Sequence, residues 1–296
     1  MSATIVLTSA NVVPDGNNNS FVYNFPNSVT FPNHQIALQS ATMYYSWDNI
    51  SAALSNNTII FNWRVGTTVT PVTITFPDGL YQIADLQSYI EQYCLLAQNY
   101  YLFNTVTGRN VFYFQIQVNP TAYAVQLNVY PVPTSLPTGF TAPASWGGYP
   151  SVAVCPVVTF PAQFNKIVGF TAGYTSPSGL LITSSFTSTI APQVQPNPSV
   201  FIAVSNINNK YAVPSSIIYS VTPTNVAFGS QIKDQPPQFA WNKLLPGTYN
   251  QLRMTFLGAN LQPLIMNDPN ITILLAIRDT KDLGIADLVN QLSGGK

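Results

Sequence analysis

The sequence predicts an all-β protein: a single jelly-roll β-sandwich with long loops, one helix near residues 84–97 and a short C-terminal helix. Three observations predict it. Runs of period-two alternation recur between Pro, Gly and Asn turns, as half-buried strands do. Many short strands with turn signals argue for a sandwich, and the long loops favour a jelly roll over a small closed barrel. Only one internal segment switches to helical spacing.

The expected strands are, in order, 4–8, 21–25, 35–45, 58–64, 71–76, 111–118, 122–130, 156–160, 180–186, 200–205, 217–221, 249–256 and 271–277. In the fifth, Val72, Ile74 and Phe76 share a face; in the sixth, Phe112, Phe114, Ile116 and Val118 do. After an Asp78-Gly79 turn, Ile83, Leu86, Ile90, Cys94 and Ala97 follow helical spacing. A helix with one apolar stripe packs on a sheet or plugs the end of a sandwich. The Pro-rich stretch 131–150 reads as an ordered loop anchored by Trp146, and 191–198 as a similar one. Loops this long commonly bind or assemble.

The last two strands read as a hairpin-like closing unit around a polar corner, 257–270. Leu252, Met254 and Phe256 share one apolar face; Ile271, Ile273, Leu275 and Ile277 share another. The final strand of a jelly roll can lie inside a sheet and lock the fold. The tail after Asp279 is more charged, with Asp282 placed to cap a helix and Ile285, Leu288, Val289 and Leu292 at helical spacing. So short a helix is unstable alone in water. It needs a docking surface, on its own domain or on a neighbouring subunit. The expected organisation is a jelly-roll domain over 1–279, with long loops or a modest insertion, and a tail over 280–296.

Composition bears on the surface. Only 7% of the 296 residues are charged, where roughly 25% is usual, and the net charge is +0. Asn, Gln, Ser and Thr take their place. Charge normally keeps copies of a protein apart, so this composition favours a subunit packed against others over a monomer that carries few charges. The ten basic residues are dispersed, which gives no nucleic-acid footprint. The apolar runs are strand-sized, so membrane insertion is not expected. The N-terminus shows no basic region ahead of its apolar run, so no signal peptide is read.

No chemistry-bearing constellation emerges, and no catalytic residue, metal ligand or cofactor is expected. The one histidine, His34, falls in a turn before a strand. Asp234, Asp268, Asp279 and Asp282 read as turn, cap or strand-end residues, and Glu91 as a solvent-facing helix residue. A calcium loop or a glycosidase pair would need carboxylates brought together from distant positions. Cys94 and Cys155 read as buried, reduced thiols.

A series of phrases in order nevertheless resembles one family. They are LQSATMYYSWDNIS (38–51), FPDGLYQIADLQSYIEQY (76–93), FNKIVGFTAGYT (164–175), VSNINNKYAVPSSIIYSVTP (204–223) and WNKLLPGTYNQLRMTFLGANLQPLIMNDPNITILLAIRD (241–279). They resemble the penton proteins of virophages, Polinton-like viruses and adintoviruses, and together span most of 38–279. The resemblance implies a structural capsid protein with no enzymatic activity, a single jelly roll of which five copies close a vertex of an icosahedral shell. Its implied partners are itself, the double jelly-roll major capsid protein and other minor capsid proteins. Its implied place is the virion vertex, after manufacture and assembly inside the host cell. One departure is Leu257-Gly258-Ala259-Asn260, where many relatives carry an Asp-Gln-type pair; a different turn is expected there, with no loss of fold.

A ring forms when two different side surfaces meet head to tail. The assembly residues expected are Ile285, Leu288, Val289 and Leu292 of the tail, docking under a neighbour, and Trp146. Truncation after Asp279 is then expected to weaken assembly while the monomer stays folded. Two alternatives remain: a carbohydrate-binding jelly-roll attachment protein, and a minor cementing capsid protein that does not self-assemble.

Overall fold

In the computed structural model, which describes residues 2–97, 99–195, 197–224, 226–268 and 270–280, the chain opens with β1 (Ser2–Leu7), β2 (Ser20–Thr30) and β3 (His34–Tyr44). A middle segment carries β4 (Thr58–Val65), β5 (Thr68–Thr75), α1 (Ile83–Ala97), β6 (Tyr101–Asn104), β7 (Arg109–Phe112), β8 (Phe114–Asn119), β9 (Ala124–Val129), β10 (Phe140–Thr141), β11 (Val157–Thr159), α2 (Phe164–Val168) and β12 (Ser184–Thr187). The closing segment carries β13 (Val200–Val204), β14 (Ile207–Asn208), β15 (Ile217–Val221), β16 (Gln231–Asp234), β17 (Asn242–Leu244), β18 (Thr248–Leu257) and β19 (Thr272–Asp279). The chain divides into two compact units: one of residues 1–47 with 197–296, the other Asp48–Pro196. The inserted unit is about half the chain, larger than the modest insertion expected, because nine short strands and two helices enclose a core of their own.

The first unit is a jelly roll. Its eight principal strands, in chain order, are β1, β2, β3, β13, β15, β16, β18 and β19. The first pairs with the eighth, the second with the seventh, the third with the sixth and the fourth with the fifth, all antiparallel. That nesting is a hairpin strip rolled on itself. Two further pairings, β19 with β3 and β13 with β18, complete the sheets. One sheet runs β1-β19-β3, with β16, β17 and then β14 beyond β3; the other runs β15-β13-β18-β2. Alternation explains the core between them: Leu252, Met254 and Phe256 of β18 and Ile273, Leu275 and Ile277 of β19 are all buried. The final strand lies between β1 and β3, inside its sheet, as expected.

β18 and β19 do not form a hairpin. They belong to opposite sheets, and the corner after Leu257 carries the chain across the sandwich. Matching apolar faces made them look like partners, when they face the same core from two sides. Gln39 of β3 is skipped in the β19 register, between Leu274↔Ser40 and Leu275↔Leu38, and the alternation survives this bulge.

The inserted unit holds three three-stranded sheets, β10-β6-β7, β11-β4-β5 and β12-β9-β8. The single strand expected over 111–118 is split: β7 pairs with β6 and β8 with β9. Tyr113 and Phe114 are both buried, which breaks the alternation between them, and Val118 is 55% exposed, off the expected face. Helix α1 follows its predicted spacing, with Ile83, Leu86, Ile90 and Cys94 buried. Gln87 on the same face is buried too, and its Oε1 accepts the Ile116 N–H at 2.7 Å. β8 is an edge strand, so α1 covers an edge and satisfies a backbone donor there.

Candidate functional site

The groups that could carry chemistry are built into the fold. Cys94 sits on the buried face of α1, where burial, with the Glu91 charge adding, pushes its thiol up to about 12. The Cys155 thiol is also raised by burial and donates to the Ile182 carbonyl at 3.3 Å. A thiol held protonated at neutral pH is no nucleophile. Glu91 is half-buried, not fully solvent-facing, because its carboxylate accepts from Gln87 Nε2 at 2.8 Å. Among the described residues no three His, Cys, Asp or Glu side chains are placed to share a metal ion. No described helix is long and apolar enough to cross a membrane.

The residues carrying the sequence resemblance prove to be fold-determining. Trp47 is fully buried, its ring lies tilted against that of Tyr45 with centroids 4.4 Å apart, and it donates its Nε1 hydrogen to the Asn197 carbonyl at 3.2 Å. It thus ties the point where the chain leaves the jelly roll to the point where it re-enters. Asn49, 1% exposed, knots the base of the inserted unit: its Nδ2 donates to the Tyr81 and Val194 carbonyls, and its Oδ1 accepts the Tyr81 N–H. Asp78 accepts the Ala52 N–H, and Gly79 exchanges backbone hydrogen bonds with Ile50. Gly169 ends α2 in the left-handed conformation, φ 73°, and any Cβ there would collide with the Ile190 carbonyl oxygen.

What remains available is surface. Jelly-roll sheets keep edges, and natural edges are usually guarded by charge, Pro or a bulge. The edge strands β1 and β2 carry no charged residue, and Val6 of β1 is 46% exposed, while Asp279 lines the cleft between them. β2 does hold Pro26. The opposite side is different: β16 and β17 present Lys233, Asp234 and Lys243.

No family model and no curated protein matches the chain. Among solved structures, the chain is similar to the mavirus penton protein, at 11% identity and a TM-score of 0.45, over 94% of this chain and 98% of that one. The strand order described above rests on its own pairings.

Of the expected assembly residues, Ile285, Leu288, Val289 and Leu292 lie outside the described residues, as does the whole expected tail helix. Trp146 lies in the inserted unit and anchors its loop internally. Its ring meets Trp63 edge-on at 5.3 Å and lies 5.4 Å from Tyr149. The pair of uncharged edge strands, β1 and β2, was missed as a candidate. Its signal was available: two strands, near the start of the chain, without a single charged residue.

Proposed function

We propose that the protein is a structural penton subunit, five copies of which close a capsid vertex. The observation that carries the reading is the nested pairing of eight strands into a single jelly roll, an architecture that recurs in viral capsid proteins. Fold alone does not imply function. Two further features support the reading: a chain in which only 7% of residues are charged, and phrases resembling the penton family along it. The two dissimilar sides of the sandwich suit a head-to-tail contact, which closes a ring when the rotation permits. The side edged by the uncharged strands β1 and β2 meets the β16–β17 side of the next copy. The ring's outer neighbours are capsomers of a double jelly-roll major capsid protein.

The test is mass in solution across concentration, alone and with such a capsid protein. A five-fold species is the expected result. A strict monomer under every condition would sink the reading. Val6→Lys places a charge on the uncharged edge, so it should abolish the ring and leave the monomer's Tm unchanged.

One observation favours the carbohydrate-binding alternative. Tyr123, 82% exposed, stands at a cleft of about 350 Å³ in the inserted unit, beside Asn119, Pro120 and Val118. An open aromatic ring beside an amide can stack on a sugar face. A glycan array separates this alternative from the first reading, with Tyr123→Ala as its control.

A further inference from the structure

A strand at the edge of a sheet offers free N–H and C=O groups to another strand, and folded proteins usually cover or block them. The inserted unit does so edge by edge. On β8 the Ile116 N–H is taken by Gln87 of α1. On β5 the Thr75 and Thr73 carbonyls accept the Tyr89 and Tyr93 hydroxyls at 3.1 and 3.4 Å, and Pro71, in phase with them, has no N–H to offer. On β11 Ser176 satisfies both backbone groups of Val158 at 2.9 Å. β7 opens on the exposed Arg109, and β10 is two residues long.

β12 is the exception. It forms one edge of the sheet β12-β9-β8. Just beyond it, the Ser188 N–H donates to the Val125 carbonyl and the Ser188 Oγ accepts the Val125 N–H. In an antiparallel ladder this phase turns the backbone groups of Ser184 and Phe186 towards β9 and those of Ser185 and Thr187 away from it. Ser185 and Thr187 are exposed, and among the described residues no hydrogen bond reaches their outward backbone groups. β12 holds no proline, and no charged residue occurs between Lys166 and Lys210. Leu181 and Ile182, just before the strand, are 58% and 74% exposed, and Ile190, just after it, is 50% exposed.

We infer that β12 is an interface whose occupant is β12 of a second copy, paired antiparallel about a two-fold axis. A strand that adds here must itself have a free edge, and among the described strands of the inserted unit β12 is the one left with such an edge. The β1 and β2 edges of the jelly roll already serve the proposed ring. In the two-fold register Phe186 lies opposite its own counterpart, and Ser185 lies opposite Thr187 of the second copy. Each copy then donates and accepts at both residues. The same count sets Ile182 opposite Ile190 of the second copy, which brings the exposed aliphatic side chains of the two ends together. The sheets of the two copies become one continuous sheet. Such a contact pairs copies two by two and uses neither side of the jelly roll, so mass tells its failure from that of the ring.

The test is sedimentation of the full chain up to about 0.5 mM, because a ladder of four residues makes a small, weak contact. Species at even multiples, dimers or pairs of rings, are the expected result. Monomers and five-fold rings alone would overturn the inference. Thr187→Pro removes an outward N–H from each copy and leaves the β9 ladder whole. It should keep the Tm and raise the dissociation constant of the pair by about tenfold; an unchanged constant overturns the inference. The register is read by mixing Ser185→Cys copies with Thr187→Cys copies under mild oxidation. Opposed Cα atoms in such a pair lie about 5.5 Å apart, within disulfide reach, so the mixture should cross-link and neither variant alone should. The native Cys94 and Cys155 are buried and do not compete. Equal cross-linking in all three samples, or none, overturns the inference, and this result decides if Thr187→Pro lowers the Tm. A chain that stays unpaired but binds a synthetic peptide of residues 181–188 has an edge built for a foreign strand, which also overturns it.

Discussion

The two units solve the same problem, burying a core between strands, by different means. In the jelly roll, long alternating strands from both ends of the sequence pair with each other, and their backbone groups are satisfied by the ladders. In the inserted unit the strands are short, and side chains complete the hydrogen bonding. Eight of the eleven buried polar residues among those described lie there. Gln87 serves Ile116, Ser188 serves Val125, Ser176 serves Val158, and Asn165 serves Phe170. Its core is also richer in rings, with Phe76, Phe160, Phe164, Phe170 and Tyr174 in mutual contact. A short strand carries fewer ladder bonds per residue ordered, so single polar side chains become decisive.

The largest expected effect tests a backbone position in the inserted unit. Gly169→Ala combines a left-handed φ with a collision at the Ile190 carbonyl. It should cost about 4 kcal/mol. Hydrogen exchange should speed up across 48–196 and leave β1–β3 protected. Equal loss of protection in both units would break the comparison. Next comes the jelly roll's own weak point. Leu275 is fully buried at the centre of β19, and Leu275→Ala should cost about 3 kcal/mol, read by thermal unfolding, with exchange increased in β1 and β3, its ladder partners.

These contrasts explain what could be read from the chain alone. Period two identified the strands that became β3, β4, β18 and β19, and period 3.6 identified α1, because burial on one face writes itself into side-chain order. Alternation does not say which sheet a strand joins. β18 and β19 show the same pattern, yet lie on opposite sides of the core, so the closing hairpin was an illusion. β14, β16 and β17 are two to four residues long and bury a single apolar side chain each, Ile207, Ile232 and Leu244. That is too little to carry a period. α2 buries Phe164, Ile167 and Val168, but five residues are too few to show a helical period. The tail stripe was legible as amphipathic, but the cleft between β1 and β2 was not: its lining comes from separate stretches of chain, brought together only by folding.

A smaller effect isolates one side chain. Gln87→Leu keeps the volume and removes the acceptor, leaving the Ile116 N–H buried and unpaired, at a cost of about 2 kcal/mol. Gln87→Glu keeps an acceptor and should recover part of it. If Leu is as stable as Gln, the account of α1 as a satisfied edge cover is wrong.

The smallest effect is alkaline. Cys94, Cys155, Tyr81, Tyr100, Tyr113, Tyr149 and Tyr174 are all raised chiefly by burial, and all lie in the inserted unit. In the jelly roll Tyr219 is raised by burial and by its bond to Asp234. For Cys94 the unfolded thiol ionises near 9.0 and the folded one at about 12. Between those values the folded state holds the extra proton, so stability falls as pH rises. From pH 7 to 9.5 Cys94 alone should cost the inserted unit about 0.8 kcal/mol. Both cysteines of the chain lie in that unit, so a thiol reagent reports its opening and nothing else. The denaturant midpoint for thiol labelling should fall over this pH range. With Cys94→Val, followed through Cys155, the fall should shrink. A midpoint that stays put would mean that the thiol's burial does not couple to the opening of the unit, and that the inserted core is looser around α1 than its packing indicates.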